Sequence, residues 1–262
     1  MAAKDVPQHL NQSGTAVIGG HALYWERHGH PEAGTVMLLH HGLGSIRSWR
    51  RQCPALCEAG WEVLVYDRWG YGRSEARPGF ADRFLRDDAL EAFQLLDLMG
   101  IDQTALIGHS DGGTIALLMA AMQPERITGM VVVAAHIYYE EKMRAGLLSI
   151  ARQAKQPPLS TALRKEHGDR AEELTALWIS HWLESDPSGL DMSDRLESIT
   201  CPTLVIQGEL DEHATPQHAG DIAGGVQDGE LWLIPDVGHM PPHEIPAEFN
   251  RRMLDFLSAM HL

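Results

Sequence analysis

The first half of the chain alternates between short, fully apolar runs and longer amphipathic runs. Runs typical of strands occur at residues 35–40, 62–66, 103–108 and 127–135, and two more, at 15–18 and 22–28, flank a glycine turn. Runs with helical periodicity occur at residues 47–59, 84–99 and 111–122. Strands that are apolar on both faces and alternate with helices are typical of a mostly parallel sheet covered by helices. We therefore predict an α/β fold.

The alternation stops between residues 136 and 200, where the sequence predicts helices and no strand. Three helices are predicted there, at residues 140–153, 159–167 and 171–184. Strands return at 202–207 and 230–234, with helices at 215–223 and 247–260. We therefore predict an α/β core of residues 1–135 and 201–262, interrupted by a helical cap of residues 136–200. Insertions at strand ends often build sites, so this cap is a candidate lid.

The length of the chain indicates one domain, and its charge limits the kinds of partner it can bind. The chain has 262 residues, which fits one α/β unit, and a formal net charge of -15. An acidic surface repels phosphate groups, so we expect no nucleic acid and no anionic membrane surface as a partner. The longest apolar run, at 130–135, is too short to cross a bilayer, and the first residues lack the apolar segment of a secretory signal.

Three cysteines do not make a disulfide framework in a chain of this length. We expect a reduced, cytoplasmic protein. Cys53 and Cys57 lie one helical turn apart and could form a metal pair, but free cysteines are more often buried apolar residues.

The stretch LIGHSDGG at residues 106–113 places one serine among glycines, between a predicted strand and a predicted helix. Its pattern, Gly108-x-Ser110-x-Gly112, is typical of a nucleophile elbow. In such a turn the serine backbone is strained, and a side chain two positions to either side would collide with neighbouring segments. The following helix N-terminus offers free N–H groups beside the hydroxyl. A phosphate-binding loop is the rival interpretation, but the chain contains neither GxGxxG nor a Walker lysine motif.

A serine hydroxyl needs a base, and position selects His239 among the 15 histidines. Sites in open α/β sheets lie at the carboxyl ends of strands, and His239 lies in the loop after the last predicted strand. Asp211 follows the preceding strand and is the expected partner of that histidine, with Glu209 and Glu212 as nearby alternatives. The chain order serine, aspartate, histidine also fits a hydrolase triad.

His239 and His243 have the spacing of a zinc pair. Pro241 and Pro242 lie between them, so no helix can present both histidines on one face, and we predict no metal site.

The turn His41-Gly42-Leu43-Gly44 follows the predicted strand at 35–40. A glycine-flanked turn at this place can point a backbone N–H at a reacting oxygen. We expect the oxyanion to be bound by the N–H groups of Leu43 and Asp111. The alternative is that these residues form only a tight connection between a strand and a helix.

Five motifs in this order resemble the α/β-hydrolase fold superfamily over nearly the whole chain: LLHHGLGS at 38–45, YDRWGYGRS at 66–74, GHSDGG at 108–113, GELDEHATP at 208–216 and GHMPPHEIPAEF at 238–249. The resemblance implies an eight-stranded sheet, a triad of Ser110, Asp211 and His239, and a cap after the sixth strand. It also implies no metal, no organic cofactor and a structural role for Asp67 and Arg68. Dehalogenases and epoxide hydrolases of this fold have an aspartate at the elbow centre, where this chain has serine.

The sequence therefore predicts a serine hydrolase that transfers an acyl group to water through an acyl-enzyme. The expected substrate is a small carboxylic ester, with an amino acid ester as one form of it. Cleavage of a carbon–carbon bond in a diketone, hydrolysis of a lactone and a non-catalytic receptor role are the alternatives. The sequence indicates no partner besides substrate and water, and it indicates no oligomeric state.

Four residues are candidates for contact with the substrate: Asp111, His136, Trp178 and Trp182. Asp111 follows the nucleophile, and it either compensates the positive end of the helix or binds a cationic group of the substrate. The SDGG sequence resembles hydrolases of α-amino acid esters. Trp178 and Trp182, one helical turn apart, either line a pocket or belong to the core of the cap. His136 lies where the cap leaves the sheet.

Overall fold

A computed structural model of the chain describes residues 10–184 and 190–260. Within them the strands are β1 (Leu10–Ile18), β2 (His21–His28), β3 (Thr35–Leu39), β4 (Glu62–Tyr66), β5 (Thr104–His109), β6 (Ile127–Val133), β7 (Thr203–Gly208) and β8 (Gly229–Ile234). They form one sheet with the order β1-β2-β4-β3-β5-β6-β7-β8. The pairs β1–β2 and β2–β4 are antiparallel, and the other five pairs are parallel. The prediction of a mostly parallel sheet is confirmed.

The α-helices of the same residues are α1 (Gln52–Glu58), α2 (Phe84–Leu98), α3 (Asp111–Met122), α4 (Glu141–Gln153), α5 (Leu159–His167), α6 (Ala171–Glu184), α7 (Gln217–Gly225), α8 (Pro241–Glu244) and α9 (Pro246–Ala259). Helices α4, α5 and α6 lie between β6 and β7 in the chain, and we call them the cap helices. None of the described helices is long and apolar enough to cross a membrane.

The sheet separates two apolar layers. Successive side chains of a strand point to opposite faces, so Met37 and Leu39 of β3 belong to one layer and Val36 and Leu38 to the other. The first layer contains residues of α2, α3 and the cap helices, and the second contains residues of α1 and α9. Strands β3 to β7 are therefore covered on both faces, as their continuous apolar sequences predict.

The first predicted helix is divided near a proline. The predicted helix 47–59 is a 3₁₀ turn at Ile46–Trp49 followed by α1. Pro54 has no N–H for the carbonyl of residue 50, so a helix running through this point would lose a hydrogen bond and meet the proline ring. A new helix that begins at Gln52 places Pro54 in its first turn, where the missing N–H costs nothing.

The predicted final helix at 247–260 corresponds to α9. His243 lies in the short helix α8, and α9 begins after it at Pro246. Pro246 cannot donate to the carbonyl of Pro242, which instead accepts a hydrogen bond from the side-chain amide of Gln52 at 3.1 Å. The proline thus ends one helix and begins the next.

Candidate active site

Ser110 lies in a sharp turn between β5 and α3. Its backbone has φ 54° and ψ -120°, a strained conformation for a residue with a side chain, and its N–H donates to the Val133 carbonyl at 2.8 Å. A Cβ on Gly108 would lie 2.2 Å from the Gly112 carbonyl oxygen, and one on Gly112 would lie 2.1 Å from the Leu39 carbonyl oxygen. Both glycines are therefore required by the close approach of backbone segments around the serine.

Asp211 and His239 form a buried, hydrogen-bonded pair. His239 Nδ1–H donates to Asp211 Oδ2 at 2.7 Å, and the Gln207 amide donates to the same oxygen at 2.6 Å. The other oxygen, Oδ1, accepts the N–H groups of His213 at 2.7 Å and Ala214 at 3.1 Å. Four donors hold the carboxylate in one orientation, and that orientation fixes the imidazole ring.

The pair shifts the pKa of both of its members. Burial raises the pKa of Asp211, but the charge and hydrogen bond of His239, together with the N–H groups of His213 and Ala214, outweigh burial and bring it down to about 2. Burial likewise lowers the pKa of His239, but Asp211 outweighs it, so the net shift is upward from the ordinary value of 6.5. His239 is thus a strengthened base held by a carboxylate that stays ionised at neutral pH.

The pKa values of the neighbouring histidines are lowered, in contrast to that of His239. Burial lowers the pKa of His41 and of His136 to about 3 and that of His213 to about 4, and it also lowers the pKa of His109. His109 Nε2–H donates to the His239 carbonyl at 2.8 Å. These rings are neutral at pH 7, and those of His41 and His109 support the loops of the site by hydrogen bonds.

Ser110 and His239 open onto the same cavity, which has a volume of about 490 Å³. The sheet side of the cavity consists of the ends of β3 and β5 and the loops after β7 and β8. The cap helices form the opposite wall, with Met143, Leu147 and Leu163 among its apolar side chains. The cavity therefore separates the cap helices from the serine and the histidine, and it is large enough for a small organic molecule.

The turn at His41–Gly44 faces this cavity. Leu43 has φ 59°, and His41 Nδ1–H donates to the Gly42 carbonyl at 2.6 Å, which holds the peptide unit that carries the Leu43 N–H. Within the described residues, the N–H groups of Leu43 and Asp111 donate to no other group. Both residues line the cavity beside Ser110, so their N–H groups are available to an oxygen atom of a bound substrate.

Asp111 is fully buried, and its two carboxylate oxygens have different surroundings. Oδ2 accepts the indole N–H of Trp178 at 3.0 Å and lies 3.8 Å from Arg68 Nη2. Oδ1 has no hydrogen-bond partner in the described part of the chain and lies 3.7 Å from His136 Nε2. Burial raises the pKa of this carboxyl, and the nearby Arg68 opposes that shift.

Trp178 and Trp182 are cavity residues and core residues at once. Both line the cavity, and both are buried in the apolar layer that contains α2 and α3. The Trp178 ring packs on Gly42, where a Cβ would approach it to 2.4 Å. The indole N–H of Trp182, like His136 Nε2, has no partner among the described residues. The four candidate substrate contacts, Asp111, His136, Trp178 and Trp182, thus line the same cavity.

Asp67 and Arg68 occupy buried structural positions. Asp67 accepts the N–H groups of Ile46 at 2.7 Å and Arg73 at 2.8 Å. Arg68 pairs with Asp88 at 2.8 Å and donates to the His41 carbonyl at 3.2 Å. Sequence reasoning missed the proximity of Arg68 to Asp111, because nothing in the local pattern brings residues 43 positions apart together.

No group of three or more His, Cys, Asp or Glu residues that could hold a metal ion occurs within residues 10–184 and 190–260. His243 Nε2–H donates to the Ser48 carbonyl at 2.8 Å, and the Nδ1 of His239 is engaged by Asp211. One nitrogen of each ring is thus engaged by a protein group. Cys53 and Cys57 are free thiols.

Comparison with known proteins shows the family of the chain. The sequence profile of the alpha/beta hydrolase fold family matches residues 35–162. The chain is 33% identical to the "Putative carbamate hydrolase RutD" of Variovorax paradoxus, over 90% of this chain and 96% of that protein. It is 29% identical to the "Serine hydrolase BPHL" of Mus musculus, over 94% of this chain and 86% of that protein.

A solved structure shares the fold. The crystal structure of a membrane phospholipase A, described as a bacterial virulence factor, superimposes with a TM-score of 0.82 at 20% identity, and covers 96% of this chain and 87% of that one. At this identity the likeness concerns the fold alone.

Proposed function

The chain belongs to the alpha/beta hydrolase fold family, and from this premise we propose that it is a serine hydrolase with Ser110, His239 and Asp211 as its triad. The observation that carries the proposal is the buried His239–Asp211 pair, which shares a cavity with the strained Ser110. Because Nδ1–H of His239 donates to Asp211, the neutral ring has its lone pair at Nε2, and that atom is the proton acceptor.

The mechanism transfers an acyl group in two steps. His239 Nε2 takes the proton of Ser110 while Oγ attacks the substrate carbonyl, and the imidazolium then protonates the leaving alcohol. Water, deprotonated by the same nitrogen, attacks the acyl-enzyme, and Ser110 regains its proton. The N–H groups of Leu43 and Asp111 bind the oxyanion in both steps, and removal of one such donor typically costs about 3–4 kcal/mol.

The cavity walls suit a small ester that carries an amine. Apolar side chains of the cap helices can cover the hydrocarbon part of the substrate. Near Ser110, the unpartnered Asp111 Oδ1 can accept hydrogen bonds from a positively charged nitrogen, and such a bond would satisfy a buried carboxylate oxygen. We therefore propose that the enzyme prefers amino acid esters with a free α-amine.

Replacement of Asp111 by asparagine tests this preference. The test compares kcat/KM for an amino acid p-nitrophenyl ester and for its N-acetylated form. The wild type is expected to favour the free amine by roughly 10- to 100-fold, the size of one hydrogen bond to a charged group, and Asp111→Asn is expected to remove most of that ratio. Glu166→Gln, which removes a second carboxylate lining the same cavity, serves as the control and should keep the ratio. Equal ratios in wild type and Asp111→Asn would refute the amine preference.

The pH profile tests the role of His239. The base must be neutral, and its interaction with Asp211 raises its pKa, so kcat/KM is expected to fall with decreasing pH through a limb that lies above 6.5. The measurement is kcat/KM for an uncharged ester between pH 5 and 9 at constant ionic strength. A limb well below 6.5 would contradict the assignment of a carboxylate-paired histidine as the base.

A carbamate is the second candidate substrate. The relative of Variovorax paradoxus carries that activity in its name, and the N–H of a carbamate could donate to the same Asp111 oxygen. A panel of p-nitrophenyl esters of increasing length, an aryl carbamate, a lactone and a vinylogous diketone separates the candidates. The ester proposal fails if the carbamate or the diketone is turned over with a far higher kcat/KM than every ester.

A further inference from the structure

His167, the last residue of the cap helix α5, connects two loops of the core. Its side chain is buried and forms two hydrogen bonds to backbone groups, one with the Leu43 carbonyl at 2.9 Å and one with the Gly72 N–H at 3.0 Å. A backbone N–H can only donate, so Nδ1 is the unprotonated acceptor and Nε2–H donates to Leu43. The two partners thereby fix a neutral ring with its proton on Nε2, in agreement with the lowered pKa that burial gives this residue.

The hydrogen bond from His167 reaches the carbonyl of Leu43, the residue whose N–H is the proposed oxyanion donor. Leu43 has φ 59°, a conformation that costs a residue with a side chain about 1 kcal/mol or more and persists only when its surroundings hold it. His41 holds the peptide before Leu43 through the Gly42 carbonyl, and His167 holds the peptide after it through the Leu43 carbonyl. The direction of the Leu43 N–H is therefore set from both sides, and one of the two supports comes from the cap helices.

The neighbours of His167 attach to the same two loops. Glu166 accepts a hydrogen bond from the Ser45 hydroxyl, two residues after Leu43. Arg170 Nη2 donates to the carbonyls of Gly72 at 2.8 Å and Ser74 at 2.9 Å. Asp67 joins these loops from the core side through the N–H groups of residues 46 and 73. The segment 166–170 is thus a clamp between the cap helices and the loops at residues 43–45 and 72–74.

We infer that His167 is a positioning residue that couples the docking of the cap helices to the geometry of the oxyanion hole. When segment 166–170 is docked, the Nε2–H of His167 holds Leu43 with its N–H towards the cavity. When the segment moves away, the Leu43 carbonyl loses this donor and the strained residue can relax. The cap helices then control transition-state stabilisation as well as access of the substrate. This inference rests on the proposed function, because it requires an oxyanion hole at Leu43.

The test compares His167→Phe, His167→Gln and Arg170→Met in the full chain. Phenylalanine keeps the ring but removes both hydrogen bonds, and it is expected to lower kcat by about 10- to 100-fold, near the cost of a weakened oxyanion donor, with little change in KM. Glutamine offers an N–H group to donate and a carbonyl oxygen to accept, and it is expected to recover much of the loss. Arg170→Met breaks the clamp at Gly72 and Ser74 without touching Leu43 and should reduce kcat much less than His167→Phe.

Inhibition by phenylboronic acid separates positioning from general destabilisation. The boronate forms a tetrahedral adduct with a nucleophilic serine, and its charged oxygen needs the oxyanion hole. In His167→Phe its Ki is expected to rise by about the same factor as kcat/KM falls, as for a transition-state analogue. A thermal melt of each variant shows which of them remain folded. A folded His167→Phe with wild-type kcat and wild-type Ki would overturn the inference.

Two further measurements report on His167 and Ser110 in the wild type. If His167→Phe does not fold, ¹⁵N chemical shifts of the histidines in the wild type decide: a neutral Nε2–H ring is expected for His167 at pH 7, and an Nδ1–H or charged ring contradicts the inference. Labelling of the wild type by a fluorophosphonate at Ser110 distinguishes a failure of the proposed function from a failure of the coupling by His167. Without that labelling the proposed function itself fails, whereas labelling together with an unaffected His167→Phe removes only the coupling.

Discussion

Replacement of Ser110 by alanine is expected to lower kcat for ester hydrolysis by about four to six orders of magnitude, as removal of a triad nucleophile does in other serine hydrolases. The residual rate comes from the oxyanion donors and from binding, which the substitution leaves in place. The fold should be retained, because the Ser110 side chain caps no helix N–H and its backbone bond to Val133 does not depend on the side chain.

The measurement is kcat for p-nitrophenyl acetate, together with a thermal melt of both proteins. Alanine has the same backbone preference as serine at φ 54°, so the melting temperature should change little. A folded Ser110→Ala protein with activity comparable to the wild type would contradict the assignment of the nucleophile. An inactive variant that is also unfolded is distinguished by its melt and by its circular dichroism spectrum.

Replacement of Asp211 by asparagine is expected to lower kcat by about three to four orders of magnitude. The oxygen that accepts two backbone N–H groups must remain an oxygen, so the new amide NH₂ faces His239 and Gln207. The Gln207 Oε1 has no partner among the described residues, and a flip of that amide lets it accept one of the new N–H groups. The other N–H donates to His239 Nδ1 and moves the imidazole proton to Nε2, where it blocks proton transfer from Ser110.

The same substitution should shift the pH profile. The interaction with Asp211 raises the pKa of His239, so its loss lowers that pKa, and the acid limb of kcat/KM moves to lower pH. Glu209→Gln is the matched control, because Glu209 is an exposed acid in the same loop and should affect neither kcat nor the limb. An Asp211→Asn protein with near-wild-type kcat, or a Glu209→Gln protein with the large loss, would show that the wrong carboxylate was chosen.

The sequence predicts those parts of the fold that depend on local patterns. Apolar runs of five or six residues indicate strands that are covered on both faces, and the all-helical character of residues 136–200 separates the cap helices from the rest. The error lies at Pro54, where helical periodicity continues through a residue that cannot donate a hydrogen bond. Periodicity records the buried face of a helix and is insensitive to the loss of a single backbone bond.

The sequence predicts those residues of the candidate site whose place in the fold follows from their position relative to the strands. Gly108 and Gly112 report the close backbone approach around Ser110, and a histidine after the last strand necessarily lies at the edge of the sheet where that serine emerges. The surroundings of Asp111 were not predictable, since its contacts with Trp178 and Arg68 come from distant segments. His167 gave no sequence signal for the same reason, because its partners lie on loops about a hundred residues away.

The most direct measurement of the central claim is the site of covalent labelling by a fluorophosphonate. Phosphonylation requires a hydroxyl activated by a base, so it reports the nucleophile and its histidine together. We expect one adduct per chain, found on Ser110 by peptide mass spectrometry. The adduct should be absent from Ser110→Ala, and its formation should be strongly slowed in His239→Gln. An adduct on another residue, or ester hydrolysis by a protein whose Ser110 stays unmodified, would contradict it.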